Sequence, residues 1–315
     1  DLERQKRVLV DLCIVARDEC DLGVAWALIQ EALELPSPKD RWLDAYAVGN
    51  LGILELGRNG PEAALPHLRS ALELFRAIGD VAYEVGFLAN YAMALGEQGH
   101  TGEAVALLQE AMEKASRVGD RSGYALARVN LGCFLIDAGR AGEAREHLAE
   151  AVRMGRQLGM RLVEGVALGE KGRALVALGA LEAARVRLSE AIGLLERVSR
   201  WHALRFTAHL SAVQAALGDL DASRRGFATL ATTPELQDDV VLRELTSLLH
   251  VSVDLQEARR APRSEQARNA LRAARLRLQS ARNAPVEATS SDLREALRLY
   301  GRGVLEVEEG SSLPV

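Results

Sequence analysis

Aromatic residues and cysteines are scarce in this chain of 315 residues. Phe, Trp and Tyr make up 4% of it, a share that is low for a β-sandwich or a β-barrel. The three cysteines, Cys13, Cys20 and Cys133, are odd in number and have no paired spacing. They therefore indicate neither a disulfide framework nor a metal-binding knuckle, and they fit a reducing cytosol.

Long apolar runs and an excess of basic charge are also missing. The longest uncharged apolar stretches, such as Leu22 to Gln30, are too short to span a bilayer. The charged start, Asp1 to Arg7, lacks the apolar run of a signal peptide. The formal net charge of −5 argues against a simple basic nucleic-acid binder. We expect a cytoplasmic protein with neither a membrane nor a nucleic acid among its partners.

The chain is rich in residues that favour helices, chiefly Ala, Leu, Glu and Arg. Hydrophobic residues amount to 48%, which excludes an intrinsically disordered chain. The length is sufficient for one large domain or two ordinary ones, each with its own core. The composition therefore predicts an all-α protein.

Four sequence landmarks recur at a spacing of about forty residues. The first is a polar residue in one phase, at Asn50, Asn90, Asn130 and Glu170. The second is Glu followed by Ala, beginning at Glu62, Glu103, Glu143 and Glu182. The third is Ala followed by an apolar residue, at Ala71, Ala111, Ala151 and Ala191. The fourth is a closing glycine, at Gly79, Gly119 and Gly159. A common phase over four units identifies a tandem repeat.

A second set of glycines divides each unit into two helices, A and B. These glycines are Gly60, Gly99, Gly139, Gly179 and Gly218. Glycine accepts the left-handed conformation that ends a helix, and an acidic residue soon afterwards favours the next helix start. Small residues such as Gly52 and Ala63 are predicted to let helices A and B cross closely. A lone pair cannot bury its own apolar face, so the units are expected to stack.

These residues resemble the tetratricopeptide repeat family in its long-helix, forty-residue variety. The match is carried by Asn130-Leu131-Gly132, Gly139, Glu143-Ala144 and Ala151. This variety occurs in Pins-type scaffolds and in the C-terminal regions of bacterial signalling ATPases, kinases and transcriptional activators. It implies an all-α, right-handed superhelical solenoid of several helix pairs, which we count as seven.

The regularity of the repeat changes along the chain and predicts four segments. They are a degenerate N-terminal repeat (1–35), a regular array (36–233), a degenerate C-terminal helix pair (234–284), and a capping helix with a linker tail (285–315). The pair is predicted from Val240 to Arg260 and from Ser264 to Arg282, and the capping helix from Ser291 to Tyr300. Terminal units often depart from the consensus, because their outer faces meet solvent or another domain.

No constellation of catalytic residues is visible in the sequence. The six histidines are scattered, and neither a Walker phosphate loop nor a Gly-x-Ser-x-Gly motif is present. We therefore expect a protein that is not an enzyme and that has no cofactor and no metal site.

The resemblance also implies that successive A helices line a concave groove, which in this family commonly holds an extended peptide. The partner-binding residues expected on that surface are Tyr46, Asn50, Ile53, Asn90, Met93, Glu97, Asn130, Asp137, Glu170, Arg173, Arg205 and His209. The carboxamides of Asn50, Asn90 and Asn130 form a ladder that can bond a peptide backbone whatever its sequence. Alternatively, these side chains bond only neighbouring helices.

Two groups of arginines allow more than one interpretation. Arg173 and Arg205 either meet an acidic group of the ligand or pair internally with Glu170 or Asp137. The segment from Arg259 to Arg282 is basic, and it either forms a solvated helix face or docks an acidic surface or a phosphate backbone.

The sequence thus predicts a recognition and regulatory module that binds a protein or peptide ligand in its groove. Its resemblance implies the sensor or interaction region of a larger bacterial signalling or transcription-regulating protein, with regulatory domains attached. One alternative is an assembly scaffold that self-associates. Another is a domain that binds a small-molecule inducer.

Overall fold

The structure is a computed structural model. It describes residues 2–18, 21–37, 40–234, 239–260 and 264–283, together with Ala296, Tyr300, Val304, Leu305 and Val307. Within these residues the chain forms α-helices joined by short turns and contains no β-strand. The predicted all-α class is confirmed.

Fifteen helices lie in the described part of the chain. They are α1 (Leu2–Asp18), α2 (Leu22–Glu34), α3 (Arg41–Arg58), α4 (Pro61–Ile78), α5 (Val81–Glu97), α6 (Thr101–Val118), α7 (Arg121–Asp137), α8 (Ala141–Leu158), α9 (Arg161–Ala177), α10 (Leu181–Leu195), α11 (Arg200–Ala216), α12 (Leu220–Ala231), α13 (Val240–Leu249), α14 (Val251–Arg260) and α15 (Glu265–Arg282). Up to α12, odd numbers are A helices and even numbers are B helices. Across the ranges described, no helix is both long and apolar enough to cross a membrane.

The chain divides into two compact units, Asp1–Phe134 and Leu135–Val315, and the division falls within α7. In the first unit, α3 packs on α4, α4 on α5, and α5 on α6. In the second unit, α8 packs on α9, and this continues helix by helix to α12. Within each unit, these helices therefore pack on their neighbours in sequence, as stacked helix pairs do. This division into two units was not predicted from the sequence.

The turn glycines adopt the conformation on which the repeat depends. Positive φ angles between 69° and 93° are found at Gly60, Gly79, Gly99, Gly119, Gly139, Gly159, Gly179 and Gly218. This left-handed region is open to glycine and strained for most other residues. Aspartates then cap the following helices: Asp80 accepts a hydrogen bond from the Tyr83 amide, and Asp219 from the Ala222 amide. The predicted turn chemistry is confirmed.

Buried B-helix residues repeat at intervals of forty residues. Fully buried leucines occupy one such series, at Leu68, Leu108, Leu148 and Leu188. Fully buried alanines occupy another, at Ala64, Ala104, Ala144 and Ala184. The Glu-Ala landmark of the sequence is out of register with this series at both ends, because Ala63 is half-buried and Ala183 is exposed. Burial of each leucine contributes about 2 kcal/mol of apolar transfer free energy to the core.

Glycines in the A helices make room for large side chains of neighbouring helices. A Cβ atom on Gly52 would lie 2.8 Å from Cγ of Leu68 on the paired B helix. A Cβ atom on Gly49 would lie 2.1 Å from the ring of Phe87 on the next A helix. Both distances are far inside van der Waals contact, so a larger residue forces its neighbours apart. The predicted role of Gly52 in the close crossing of A and B is confirmed.

The C-terminal part of the chain departs from its predicted helices. Val240 to Arg260 was expected to be one helix, but the structure contains two, α13 and α14, which meet at His250. The imidazole of His250 packs at this turn with its centroid 4.6 Å from that of Phe227 in α12. The predicted capping helix, Ser291 to Tyr300, falls outside the described residues except at two positions.

Candidate binding surface on the A helices

The three asparagines of the predicted ladder occupy different environments. Asn50 is buried, and its Nδ2 donates to the carbonyl oxygen of Tyr46, one turn earlier in α3, at 2.9 Å. Asn90 in α5 and Asn130 in α7 are half-buried, and within the described ranges neither carboxamide makes a hydrogen bond. In this conformation Asn50 therefore serves its own helix, whereas Asn90 and Asn130 offer both a donor and an acceptor to a ligand.

Apolar and aromatic residues accompany the ladder in the first unit. Ile53 and Met93 occupy equivalent positions in α3 and α5, and both are half-buried. The ring of Tyr46 lies 4.8 Å from that of Trp42 and 5.6 Å from that of Tyr83, measured between centroids. Burial, with a smaller contribution from Tyr83, raises the pKa of the Tyr46 hydroxyl above its ordinary value. Tyr46 is therefore a neutral hydrogen-bonding group anchored in an aromatic cluster.

In the second unit the predicted residues form an ion cluster around Glu170. The carboxylate of Glu170 is inaccessible to solvent and accepts hydrogen bonds from Nη1 of Arg173 at 2.7 Å and from Nη1 of Arg205 at 2.6 Å. Nη2 of Arg173 also lies 3.5 Å from Oδ1 of Asp137. Internal pairing, one of the two interpretations of Arg173 and Arg205, is thus what the structure contains. Pairing of this kind compensates charges that have been removed from water.

His202 adjoins this cluster and was not among the predicted site residues. Its Nδ1 lies 2.7 Å from Oγ of Ser199, and Cζ of Arg205 lies 5.9 Å from the centroid of the neighbouring Trp201 ring. Burial, reinforced by Arg205, lowers the pKa of His202 to about 4, although Glu170 acts in the opposite direction. His202 is therefore neutral at neutral pH. The sequence around His202 did not indicate this environment, because Arg205 lies in α11 and Glu170 lies in α9.

The remaining predicted residues lie at the edges of these groups. Glu97 is half-buried at the end of α5, and Asp137 is half-buried at the equivalent position of α7. His209 is half-buried in α11, with its ring centroid 6.5 Å from that of Phe206. The structure therefore brings Asp137, Glu170, Arg173 and Arg205 into contact.

Two hydrogen bonds from tryptophans link successive repeats, and these bonds were not predicted from the sequence. Nε1 of Trp42 donates to Oδ2 of Asp80 at 3.0 Å, and Nε1 of Trp201 donates to Oδ2 of Asp239 at 2.6 Å. In both links the acceptor lies 38 residues after the tryptophan and caps a later helix. The spacing of 38 residues from Trp to Asp is the sequence signal from which these hydrogen bonds could have been predicted.

The predicted surface carries both hydrogen-bonding and apolar side chains. No group of three or more His, Cys, Asp or Glu side chains in the described ranges could hold a metal ion. Half-exposed carboxamides at forty-residue intervals suit the repeating N–H and C=O groups of an extended chain.

Comparisons with known proteins agree with this architecture. Residues 84–157 match the model of the tetratricopeptide repeat family, while no curated protein sequence matches the chain. The fold is similar to that of a Rap protein complexed with competence and sporulation factor, with a TM-score of 0.64 and 13% identity over 98% of this chain and 99% of that one. It is also similar to NprR in complex with its cognate peptide NprX, with a TM-score of 0.60 and 14% identity over 100% of this chain and 84% of that one.

A third similar structure is a signal transduction ATPase with numerous domains and a tetratricopeptide repeat sensor, from Pyrococcus horikoshii. Its TM-score is 0.63 at 15% identity, over 95% of this chain and 44% of the ATPase. At such low identity these likenesses establish the fold, a solenoid of the tetratricopeptide repeat type, and nothing finer.

Proposed function

We propose that this chain, an array of tetratricopeptide repeats, is a recognition and regulatory module that binds a peptide or an extended partner segment along its A helices. The observation that carries the proposal is the extent of the fold similarity. Nearly the whole chain matches nearly the whole of a Rap protein, and it also matches most of NprR, which is complexed with a cognate peptide. The proposal therefore rests on similarity of fold. The half-exposed polar groups of the surface support it further.

The first unit supplies the groups that suit a peptide backbone. Asn90 and Asn130 are equivalent residues of α5 and α7 and have unengaged carboxamides in the part of the chain described. Each would accept from a peptide N–H and donate to a peptide C=O. Tyr46, Ile53 and Met93 would contact the peptide's side chains. Asn50 contributes by fixing α3 through its bond to Tyr46.

The second unit supplies the charge selectivity in this proposal. Arg205 is the more exposed of the two arginines on Glu170, with 12% of its side chain accessible against 3% for Arg173. An acidic group of the ligand would therefore meet Arg205 first, and Glu170 with Arg173 would hold it in position. Glu97, Asp137 and His209 complete the set of proposed contacts.

The proposed setting is the cytoplasm of a bacterium, in a larger regulatory protein with attached domains. The support for attached domains is that the chain matches 44% of a signal transduction ATPase with a tetratricopeptide repeat sensor. We also propose that the chain has no catalytic activity of its own, and that its effect on an attached domain depends on ligand binding.

Selection from a random peptide library tests the groove. Peptides selected on the wild-type chain would be titrated, by fluorescence polarisation, against wild type and against Asn90→Ala/Asn130→Ala. The double variant lacks two hydrogen bonds between neutral groups at each of the two positions. Its Kd should therefore be about tenfold higher than that of wild type, or more.

The matched control is Asn269→Ala, which removes an exposed carboxamide from α15. It should leave Kd unchanged, and circular dichroism should be the same for all three proteins. Peptides that bind wild type and the double variant equally well would overturn the proposed surface.

A further inference from the structure

A cleft of about 530 Å³ lies between three helices of the second unit, outside the surface proposed for the peptide. It is bounded by α12, α13 and α15, and its lining includes Arg224, Phe227, Arg243, Thr246 and Arg277. This volume is in the range of sites that hold small organic ligands. Neither the repeat pattern nor the proposed groove accounts for it.

The floor of the cleft is apolar. Phe227 is almost completely buried, and its ring packs against the imidazole of His250 with 4.6 Å between centroids. Burial, reinforced by Arg277, lowers the pKa of His250 to about 4, so the imidazole is neutral at neutral pH. Ala228 and Ala231 line the same side of the cleft. A ligand with an apolar body would therefore bury that body here.

The rim of the cleft is cationic, because each of the three helices contributes one arginine. Arg224, Arg243 and Arg277 have 49%, 45% and 31% of their side chains exposed. Their guanidinium groups reach the cleft from separate elements, and no carboxylate is among the lining residues within the described part of the chain. Such a rim favours an anionic group over a neutral or cationic one.

Carboxylates outside the cleft lie within ion-pair distance of all three arginines, including Glu244, whose Oε1 is 3.9 Å from Nε of Arg243. Nε of Arg277 donates to Asp254 at 3.1 Å, and Arg224 donates through its two terminal nitrogens to Asp221 and Glu257. A guanidinium has five N–H donors, so further N–H groups remain on each of them for a ligand. The carboxylates thus orient the arginines from outside the cleft, and the charged groups that line the cleft itself are the three guanidinium groups.

A buried hydroxyl lies in the wall of the same cleft. Thr246 is 7% exposed, and its Oγ1 has no hydrogen-bond partner among the described residues. A buried polar group without a partner is costly, and native structures contain few of them. Because Oγ1 itself is buried, the side chain must rotate about χ1 to donate the hydroxyl to a ligand acceptor in the cleft. This observation is independent of the charge of the rim and indicates the same kind of ligand.

We propose that this cleft binds an organic carboxylate with an apolar body, whose carboxylate meets Arg243, Arg277 and the Thr246 hydroxyl while the body lies on Phe227. Two kinds of ligand carry such a carboxylate next to an apolar body. One is a free carboxylic acid, and the other is a peptide that ends in an apolar residue with a free C-terminal carboxylate. The inference does not depend on the proposed groove, since the cleft is formed by different residues.

Ligand-observed NMR titrations of the whole chain test the proposal. The probes are octanoate, its uncharged analogue octanol, a pentapeptide that ends in leucine with a free carboxylate, and the C-terminal amide of that peptide. Octanoate or the free-acid peptide should bind at least tenfold more tightly than its uncharged counterpart, since a charge-assisted hydrogen bond is worth about a factor of ten. Whichever acid binds more tightly identifies the source.

Three variants locate the binding. Arg243→Gln should raise Kd about tenfold, and Thr246→Val about fivefold. Thr246→Val should also leave the melting temperature unchanged or raise it, because it removes the unpaired hydroxyl while keeping the shape of the side chain. Arg225→Gln, an exposed arginine of α12 that does not line the cleft, is the control and should leave Kd unchanged.

The proposal is overturned if neither acid binds with a Kd below about 10 mM, or if the charged and uncharged probes bind equally. It is also overturned if the acids bind all four proteins with the same Kd. Circular dichroism spectra of the variants that match wild type would show that a change in Kd reflects the cleft and not the fold.

Discussion

Replacement of Glu170 by glutamine tests the buried ion cluster that this residue forms with Arg173 and Arg205. Glu170→Gln keeps the size of the side chain and removes its negative charge. Arg173, only 3% exposed, would then retain Asp137 at 3.5 Å, while Arg205 would lose its ion pair with Glu170. We therefore expect a large loss of stability from a substitution that changes almost no volume.

The magnitude follows from the burial of the partners. Removal of one partner from a buried ion pair typically costs about 3–5 kcal/mol, because the other charge stays buried without compensation. Asp137 still offsets part of the charge of Arg173, and Arg205 reaches solvent with 12% of its side chain. The free energy of unfolding should accordingly fall by about 3 kcal/mol, at the lower end of that range.

The assay is urea unfolding followed by circular dichroism, with hydrogen exchange measured on peptides of α9 and α11 to show where protection is lost. The control is Glu150→Gln, which removes the partner of Arg153 in an exposed pair on α8. Because exposed pairs contribute little, this control should cost less than about 0.5 kcal/mol. If Glu170→Gln costs no more than the control, the cluster does not stabilise the fold and our reasoning is wrong.

Two further predictions concern a histidine and a pair of glycines. Because the folded-state pKa of His202 is depressed to about 4, its contribution to stability is fully present above pH 6.5 and is lost as the pH falls from 6.5 towards 4. His202→Gln should reduce this loss by about 1–2 kcal/mol in urea titrations at pH 7 and pH 4.5, and an unchanged difference between the two pH values would refute it. Gly52→Ala should destabilise the chain by about 1–3 kcal/mol, since its Cβ would lie 2.8 Å from Cγ of Leu68. Gly57→Ala in the same helix meets no atom within 4 Å and should stabilise by about 0.5–1 kcal/mol in thermal melts, so equal effects of the two substitutions would contradict the packing argument.

The repeat architecture was predictable because it is encoded in short sequence patterns. The turn glycines all adopt positive φ angles. The aspartates after Gly79 and Gly218 cap the next helix by accepting a hydrogen bond from the backbone amide three residues later. These are local effects, so they can be deduced from neighbouring residues alone. One detail of the prediction was wrong: the alanine that is buried in the core is Ala64 and not Ala63.

The division into two units and the roles of single side chains depended on the tertiary structure. Three asparagines that look equivalent in the sequence differ in the fold, where Asn50 is buried and Asn90 and Asn130 are half-exposed. Arg205 pairs with a carboxylate 35 residues away, and the lining of the cleft comes from three helices.

The amino-acid sequence by itself determined the class, the repeat length and the positions of the turns. The reason is that each of these depends on residues that are close together along the chain. Tertiary structure alone decided which polar groups are satisfied internally and which remain available to a ligand. That outcome depends on distances between residues of different repeats, and these distances are set only when the helices pack.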